Sequence, residues 1–126
     1  MTPYRKYNFI WPIKAISKDN EKARGRNGRY YLSQKFKDFE ETIRVMFLSQ
    51  TPPDFEMFKT ENLAVSLTYM FKDKRHCDAM NLPKSCLDAL NGSLYSDDRQ
   101  IKEGHVKIIY GDREEIRLEV FNIPSA

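Results

Sequence analysis

Several stretches of the chain alternate apolar and polar side chains, which is the two-residue period of a β-strand with one face against a core. These stretches are residues 7 to 12, 63 to 71, 106 to 110 and 116 to 120. Pro12 ends the first of them, because proline cannot continue the hydrogen-bond ladder. Gly111 and Asp112 form a turn between the last two, so we predict a β-hairpin there. A further short strand is expected at residues 29 to 32.

A helical period follows Ser33, a residue type that often caps a helix at its N-terminus. The helix should run to about residue 49. Its apolar residues recur at spacings of three and four and form one stripe: Phe36, Phe39, Ile43, Met46 and Phe47. We interpret this stripe as core or dimer surface, not as a cofactor site.

A second, shorter helix is expected from about residue 82 to 91. Pro83 must lie in its first turn, where no backbone N–H is needed. Asn81 or Met80 is therefore the expected cap, because a cap at Asp78 would put the proline too deep in the helix. Asn91 and Gly92 should end the helix.

The predicted order is strand, strand, helix, strand, helix, strand, strand. Because the helices do not separate successive strands regularly, we expect an α+β fold with a small mixed sheet, and not a doubly wound one. A length of 126 residues predicts a single domain over residues 1 to 126. So short a chain leaves much of its surface exposed, and dimerisation would relieve this.

The composition indicates a soluble globular protein, with 31% charged and 40% hydrophobic residues. No apolar run reaches the roughly 18 residues of a membrane span, and the N-terminus lacks the apolar segment of a signal peptide. Cys77 and Cys86 have no CxxC spacing and no set of nearby zinc ligands. His76 adjoins Cys77, but one His-Cys pair is weak evidence for a zinc site. We therefore expect free thiols, a cytoplasmic location and no small-molecule cofactor.

Positive charge is concentrated in two places although the net charge is only +3. The first is at residues 14 to 29, which contain Lys14, Lys18, Lys22, Arg24, Arg26 and Arg29. Residues 13 to 28 are predicted to form a mobile loop. Residues 72 to 75 contain Lys72, Lys74 and Arg75. Such clusters suit contacts with DNA phosphates, and a solvated loop face is an equally simple interpretation.

Acidic and amide side chains surround the second helix. Asn81, Lys84 and Asp88 have the spacing of one helix face, and Asp78 lies just before them. Carboxylates that hold magnesium, together with a lysine near the phosphate, are what phosphodiester hydrolysis requires. Asp78 with the pair Asp97 and Asp98 are the candidate ligands, one of the pair binding and the other supporting. A helix cap, a turn and surface residues are the ordinary alternatives for these side chains.

Taken together, these residues resemble the RusA family of phage and bacterial Holliday junction resolvases. The family pattern is a basic segment, Asp-x-Asp-Asn, a lysine three residues later, Asp-Ala-Leu and a later Asp-Asp-x-Gln. This chain has Asp78-Ala79-Met80-Asn81, Lys84, Asp88-Ala89-Leu90 and Asp97-Asp98-Arg99-Gln100. An early Trp11-Pro12 is also similar to the family.

The resemblance implies a homodimer that cuts four-way DNA junctions by paired nicks, using magnesium or, as a second choice, manganese. It gives Asp78 and Asp98 the role of metal ligands, Lys84 that of the essential lysine and Asn81 that of the closing asparagine. Met80 departs from the pattern, because methionine is a poor ligand for a hard ion. The chain could be an engineered inactive form, a divergent enzyme that uses Asp97 or Asp88, or a branched-DNA binder that no longer cuts. A generic interaction domain built on the aromatic helix would require the motif to be coincidental.

Overall fold

The computed structural model describes residues 3–17, 22–24, 30–76 and 79–124, without the side chains of residues 22–24, 30–32 and 80. The strands are β1 (Lys6–Trp11), β2 (Lys22–Arg24), β3 (Tyr30–Leu32), β4 (Leu63–Phe71), β5 (Ile101–Tyr110) and β6 (Glu115–Asn122). The helices are α1 (Gln34–Gln50) and α2 (Pro83–Ala89), with one-turn 3-10 helices at Ala79–Asn81 and Asp98–Gln100. This arrangement confirms the α+β prediction. No helix within the described ranges has the length and apolarity needed to cross a bilayer.

The main sheet is mixed and has the strand order β1-β6-β4-β5. β4 pairs with β6 antiparallel and with β5 parallel, and β1 pairs with β6 antiparallel. The predicted hairpin of β5 and β6 is therefore wrong, because β4 lies between them. The amide of Gly111 donates to the carbonyl of Phe71 at 3.0 Å, so the connection passes over the end of β4. The alternation of apolar and polar residues predicts which face of the sheet a side chain lies on, but it does not predict which strand is the neighbour.

One face of this sheet packs against the helices and forms the core. Its fully or nearly buried side chains are Phe9, Trp11, Leu63, Val65, Leu67, Tyr69, Phe71, Ile116, Leu118 and Val120. The predicted stripe of α1 packs on this face, with Met46 only partly buried. Ser33 caps α1 as expected, since its hydroxyl accepts from the amide of Phe36 at 3.2 Å. The core therefore confirms the interpretation of the aromatic stripe.

Two local predictions are wrong. Residues 22–24 were expected in a loop, but they form β2, which pairs antiparallel with β3; the partner strand supplies the backbone hydrogen bonds that sequence pattern alone does not reveal. The N-cap of α2 is Leu82, without a side-chain hydrogen bond, and not Asn81 or Met80. Leu82 is fully buried, so the preceding 3-10 turn carries it into the core and leaves Asn81 and Met80 before the cap position. Pro83 does lie in the first turn, and Gly92 follows the helix with φ of 82°.

Candidate functional site

Helix α2 presents its polar residues to one side because the other side is buried. Its inward residues are Leu82, Ser85, Cys86, Ala89 and Leu90. Asn81 and Lys84 are exposed, and Asp88 is half-buried. The Lys84 ammonium is thus available to a ligand at the surface, as the helical spacing predicted.

Cys86 belongs to the core and not to the chemistry of the site. Its side chain is fully buried, and the hydroxyl of Tyr69 donates to its sulfur at 3.8 Å. Burial raises the pKa of the Cys86 thiol to about 11, because an apolar environment disfavours the thiolate. The expectation of a free thiol holds for this cysteine, whereas Cys77 lies outside the described residues.

Asp97 begins the 3-10 helix that leads into β5. Its carboxylate accepts from the amide of Arg99 at 2.8 Å and forms a salt bridge with the Arg99 guanidinium at 3.1 Å. Hydrogen bonding from Arg99 lowers the pKa of Asp97 to about 2. Asp97 therefore stays ionised and holds the turn that carries Asp98.

Asp98 is exposed and lies in a concentration of negative charge. Partial desolvation, followed by the neighbouring carboxylates of Asp97 and Asp88, raises the pKa of Asp98. Asp97 and Asp88 thus both act electrostatically on Asp98, although Asp88 is on α2 and the other two precede β5. Over the described ranges, however, no group of at least 3 His, Cys, Asp or Glu side chains is arranged to hold a metal ion.

Gln100 attaches the turn of Asp97 and Asp98 to the body of the protein. Its side-chain carbonyl accepts from the amide of Asp97 at 3.0 Å, which completes a capping box. Its side-chain amide donates to the carbonyls of Phe58 at 3.2 Å and Glu61 at 3.0 Å. Sequence reasoning placed Gln100 in the motif without a role. Its position three residues after Asp97, the spacing of a capping box, was the signal that could have found it.

The first acidic residue of the motif cannot be placed against this cluster. Asp78 lies outside the described residues, and Met80 is described only by its backbone, in the Ala79–Asn81 turn. That turn contacts both α2 and β5. The convergence of Asp78 with Asp98 remains a prediction.

The two basic segments meet at Lys14. Its ammonium donates to the carbonyl of Arg75 at 3.4 Å, so the segment after β1 lies beside the loop that follows β4. Lys72, Lys74 and Arg75 are exposed on this loop. Lys18, Arg26 and Arg29 lie outside the described residues, and Arg24 is described only by its backbone in β2. Lys14 therefore lies beside the loop that carries the exposed Lys72, Lys74 and Arg75, and the binding of DNA by these four residues remains a prediction.

Comparison with known proteins identifies the family. A protein-family model, that of endodeoxyribonuclease RusA, matches residues 12–121. No match was found among curated proteins. The matched segment includes Lys14, both ends of the acidic motif and every strand of the main sheet except β1, which ends one residue before it, and the last residue of β6. The chain therefore belongs to the RusA endodeoxyribonuclease family.

Proposed function

We propose that this chain is a metal-dependent endonuclease that resolves four-way DNA junctions by paired nicks, in recombination, repair or phage DNA processing. The family match over residues 12–121 is the observation that carries the proposal. The proposed substrate places the enzyme in the cytoplasm of a bacterial cell, encoded by the cell or by a phage. We take residues 1 to 126 as one endonuclease domain.

The electrostatics around Asp98 are consistent with a divalent cation. Its pKa is raised by partial desolvation first and then by Asp97 and Asp88, whose negative charge a cation would neutralise. Oxygen donors of this type suit magnesium, with manganese as the second choice. We propose that Asp98 and Asp78 hold the ion and that Asp97 supports Asp98. Asp97 is already bound by Arg99, which favours the supporting role.

The residues around the ion then have separate tasks. Bound magnesium supplies charge neutralisation at the phosphate and an activated water. Lys84, exposed on α2, binds the phosphate and stabilises the charge that develops on the departing oxygen. Asn81, exposed one turn earlier, orients the substrate through its amide.

DNA binding is assigned to the surface where the basic segments meet. Lys14 with Lys72, Lys74 and Arg75 offers several cations to the phosphates of one DNA arm. We propose that Lys18, Arg24, Arg26 and Arg29 extend this surface. Replacing Arg24 and Arg26 with alanine should weaken junction binding and lessen its salt dependence, measured by fluorescence anisotropy from 50 to 200 mM salt.

Paired nicks require two sites related by a two-fold axis, so we propose a homodimer. Exposed apolar side chains are available for it on α1 and β1, where Val45 is 58%, Leu48 66% and Ile10 51% exposed. Light scattering at micromolar concentration should give twice the mass of 14.9 kDa. A monomer at that concentration would contradict the proposal.

Met80 decides between an active enzyme and a branched-DNA binder of the same fold. An aspartate at this position could share an ion with Asp78, so Met80→Asp should raise magnesium-dependent nicking about a hundredfold to a thousandfold, roughly 3 to 4 kcal/mol of transition-state stabilisation. Junction affinity should change little because the basic surface is untouched.

The test uses a synthetic four-way junction beside a linear duplex of the same sequence. In the Met80→Asp background, Asp98→Asn and Lys84→Ala should abolish nicking, whereas Asp54→Asn, an exposed carboxylate in the loop after α1, should leave it unchanged. Tight junction binding without nicking by either the chain or Met80→Asp would identify a binding module. Efficient nicking by the chain with no gain from Met80→Asp would point to a site rebuilt on Asp97 or Asp88.

A further inference from the structure

The loop that leaves β4 toward the motif is anchored by a histidine. The imidazole of His76 stacks on the buried ring of Phe71, with centroids 4.2 Å apart and planes 10° from parallel. Its Nε2 lies 2.8 Å from the hydroxyl of Tyr110, the last residue of β5. The stack and the hydrogen bond both restrain the His76 ring.

Tyr110 is placed for this contact by the strand order. β5 is parallel to β4, and Phe71 is paired with Tyr110 in the register, so the two strands end side by side. The hydrogen bond from the amide of Gly111 to the carbonyl of Phe71, at 3.0 Å, holds the ends together. Tyr110 is 52% exposed, so packing alone does not account for a large aromatic side chain at this edge.

Among the described residues, two further hydrogen bonds attach this loop to the rest of the protein. The carboxylate of Glu114 accepts from the amide of Lys72 at 3.2 Å, and the carbonyl of Arg75 accepts from Lys14 at 3.4 Å. These two bonds and the bond between His76 and Tyr110 all lie at exposed groups, where water competes for them. His76 differs in that its ring also stacks on the buried Phe71. The contact with His76 is the one nearest in sequence to Asp78, only two residues away.

We propose that His76 and Tyr110 are positioning residues, whose contact orders the loop before Asp78 and thereby aligns that aspartate for cleavage. This inference rests on the proposed nuclease function. Two residues of chain span at most about 7 Å, so fixing His76 limits where the carboxylate of residue 78 can go. Neither His76 nor Tyr110 need touch the DNA or the ion.

The test removes one oxygen atom. Tyr110→Phe keeps the ring and deletes the hydroxyl, and His76→Phe keeps a ring that can stack on Phe71 and deletes the hydrogen bond. The control is Tyr4→Phe, a tyrosine 62% exposed that lies near Phe121, at the opposite end of the sheet. All variants are made in the full chain and, in parallel, with Met80→Asp.

Amide hydrogen exchange over residues 72 to 81 should be at least threefold faster in Tyr110→Phe and His76→Phe than in the wild type or Tyr4→Phe. The single-turnover nicking rate should fall about tenfold in each, while the junction dissociation constant and the melting temperature stay near wild-type values. The double variant should be no slower than either single variant, because both remove the same contact.

Unchanged exchange in residues 72 to 81 would refute the ordering of the loop by His76 and Tyr110, whether or not the chain cuts DNA. Faster exchange with an undiminished nicking rate would refute the positioning role. Additive losses in the double variant would show that the two residues act separately. If neither the chain nor Met80→Asp nicks junctions, the nuclease proposal fails on its own, and with it the role in cleavage; exchange then decides whether the contact orders the loop.

Discussion

Replacing Gln100 with alanine should destabilise the fold and disturb the turn that carries Asp98. The side chain makes three hydrogen bonds, one from the amide of Asp97 and two to the carbonyls of Phe58 and Glu61. Each such bond contributes a net 0.5 to 1.5 kcal/mol, so the sum is about 1.5 to 4.5 kcal/mol. Gln100 is half-buried, so water can form some of these hydrogen bonds in the variant. The expected loss in the free energy of unfolding is therefore about 2 kcal/mol. For a chain of this length that loss lowers the melting temperature by about 7 °C.

Gln100→Glu is the sharper variant because it changes one donor into an acceptor. One carboxylate oxygen still accepts from the amide of Asp97, but the other faces the carbonyls of Phe58 and Glu61 without a proton. At pH 7 this variant should therefore be less stable than Gln100→Ala. Near pH 4 its carboxyl group becomes protonated and can donate a hydrogen bond again. The difference in stability between Gln100→Glu and Gln100→Ala should therefore narrow or change sign.

Urea unfolding followed by circular dichroism at pH 7 and pH 4 measures both effects. The control is Gln34→Ala, since the amide of Gln34 bonds only to Asp38 among the described contacts, at 2.8 Å on the exposed first turn of α1. A Gln100→Ala variant within about 0.5 kcal/mol of the wild type would refute the reasoning, since that is the size of a single weak hydrogen bond. So would a Gln100→Glu variant as stable as the wild type at pH 7.

Three further predictions concern charge and reactivity. Asp98→Asn should raise the melting temperature at neutral pH. The pKa of Asp98 is raised on folding, so its ionisation above the usual pKa of 3.8 destabilises the folded state, and asparagine removes that cost. In thermal scans the gain should vanish below that pH. Replacing Lys72, Lys74 and Arg75 together with alanine should reduce the slope of log affinity against log salt by about 3 for each bound subunit in a junction titration; an unchanged slope would mean that these residues form a solvated face. Cys86 should resist iodoacetamide at pH 8 and react only in urea, checked by peptide mass spectrometry, because it is fully buried with a pKa of about 11.

The local elements were predictable from the sequence because each depends on its own periodicity. The stripe from Phe36 to Phe47 defines α1, and the alternation from Leu63 to Phe71 defines β4, since burial of one face demands those spacings. The acidic motif was recognisable for a similar reason, because a joint pattern of residue types and spacings needs no knowledge of the fold. These features were sufficient to identify the family before any contact was known.

The order of the strands was decided by tertiary structure. Alternation in β5 and β6 predicted a hairpin, but β4, the most buried strand of the main sheet, lies between them. That placement brings Tyr110 beside Phe71, within reach of His76. A local pattern records which face a residue shows and not which strand lies next to it, so these contacts could not be derived from the sequence.

The electrostatic state of the candidate site was likewise outside the reach of sequence. Adjacent Asp97 and Asp98 look equivalent along the chain. Arg99 nevertheless lowers the pKa of Asp97, whereas partial desolvation, followed by the charges of Asp97 and Asp88, raises the pKa of Asp98. Which carboxylate is neutralised and which is left to attract a cation depends on distances through space, and those are set by the turn that Gln100 holds. Sequence determined which groups are present, and the fold determined which of them act on one another.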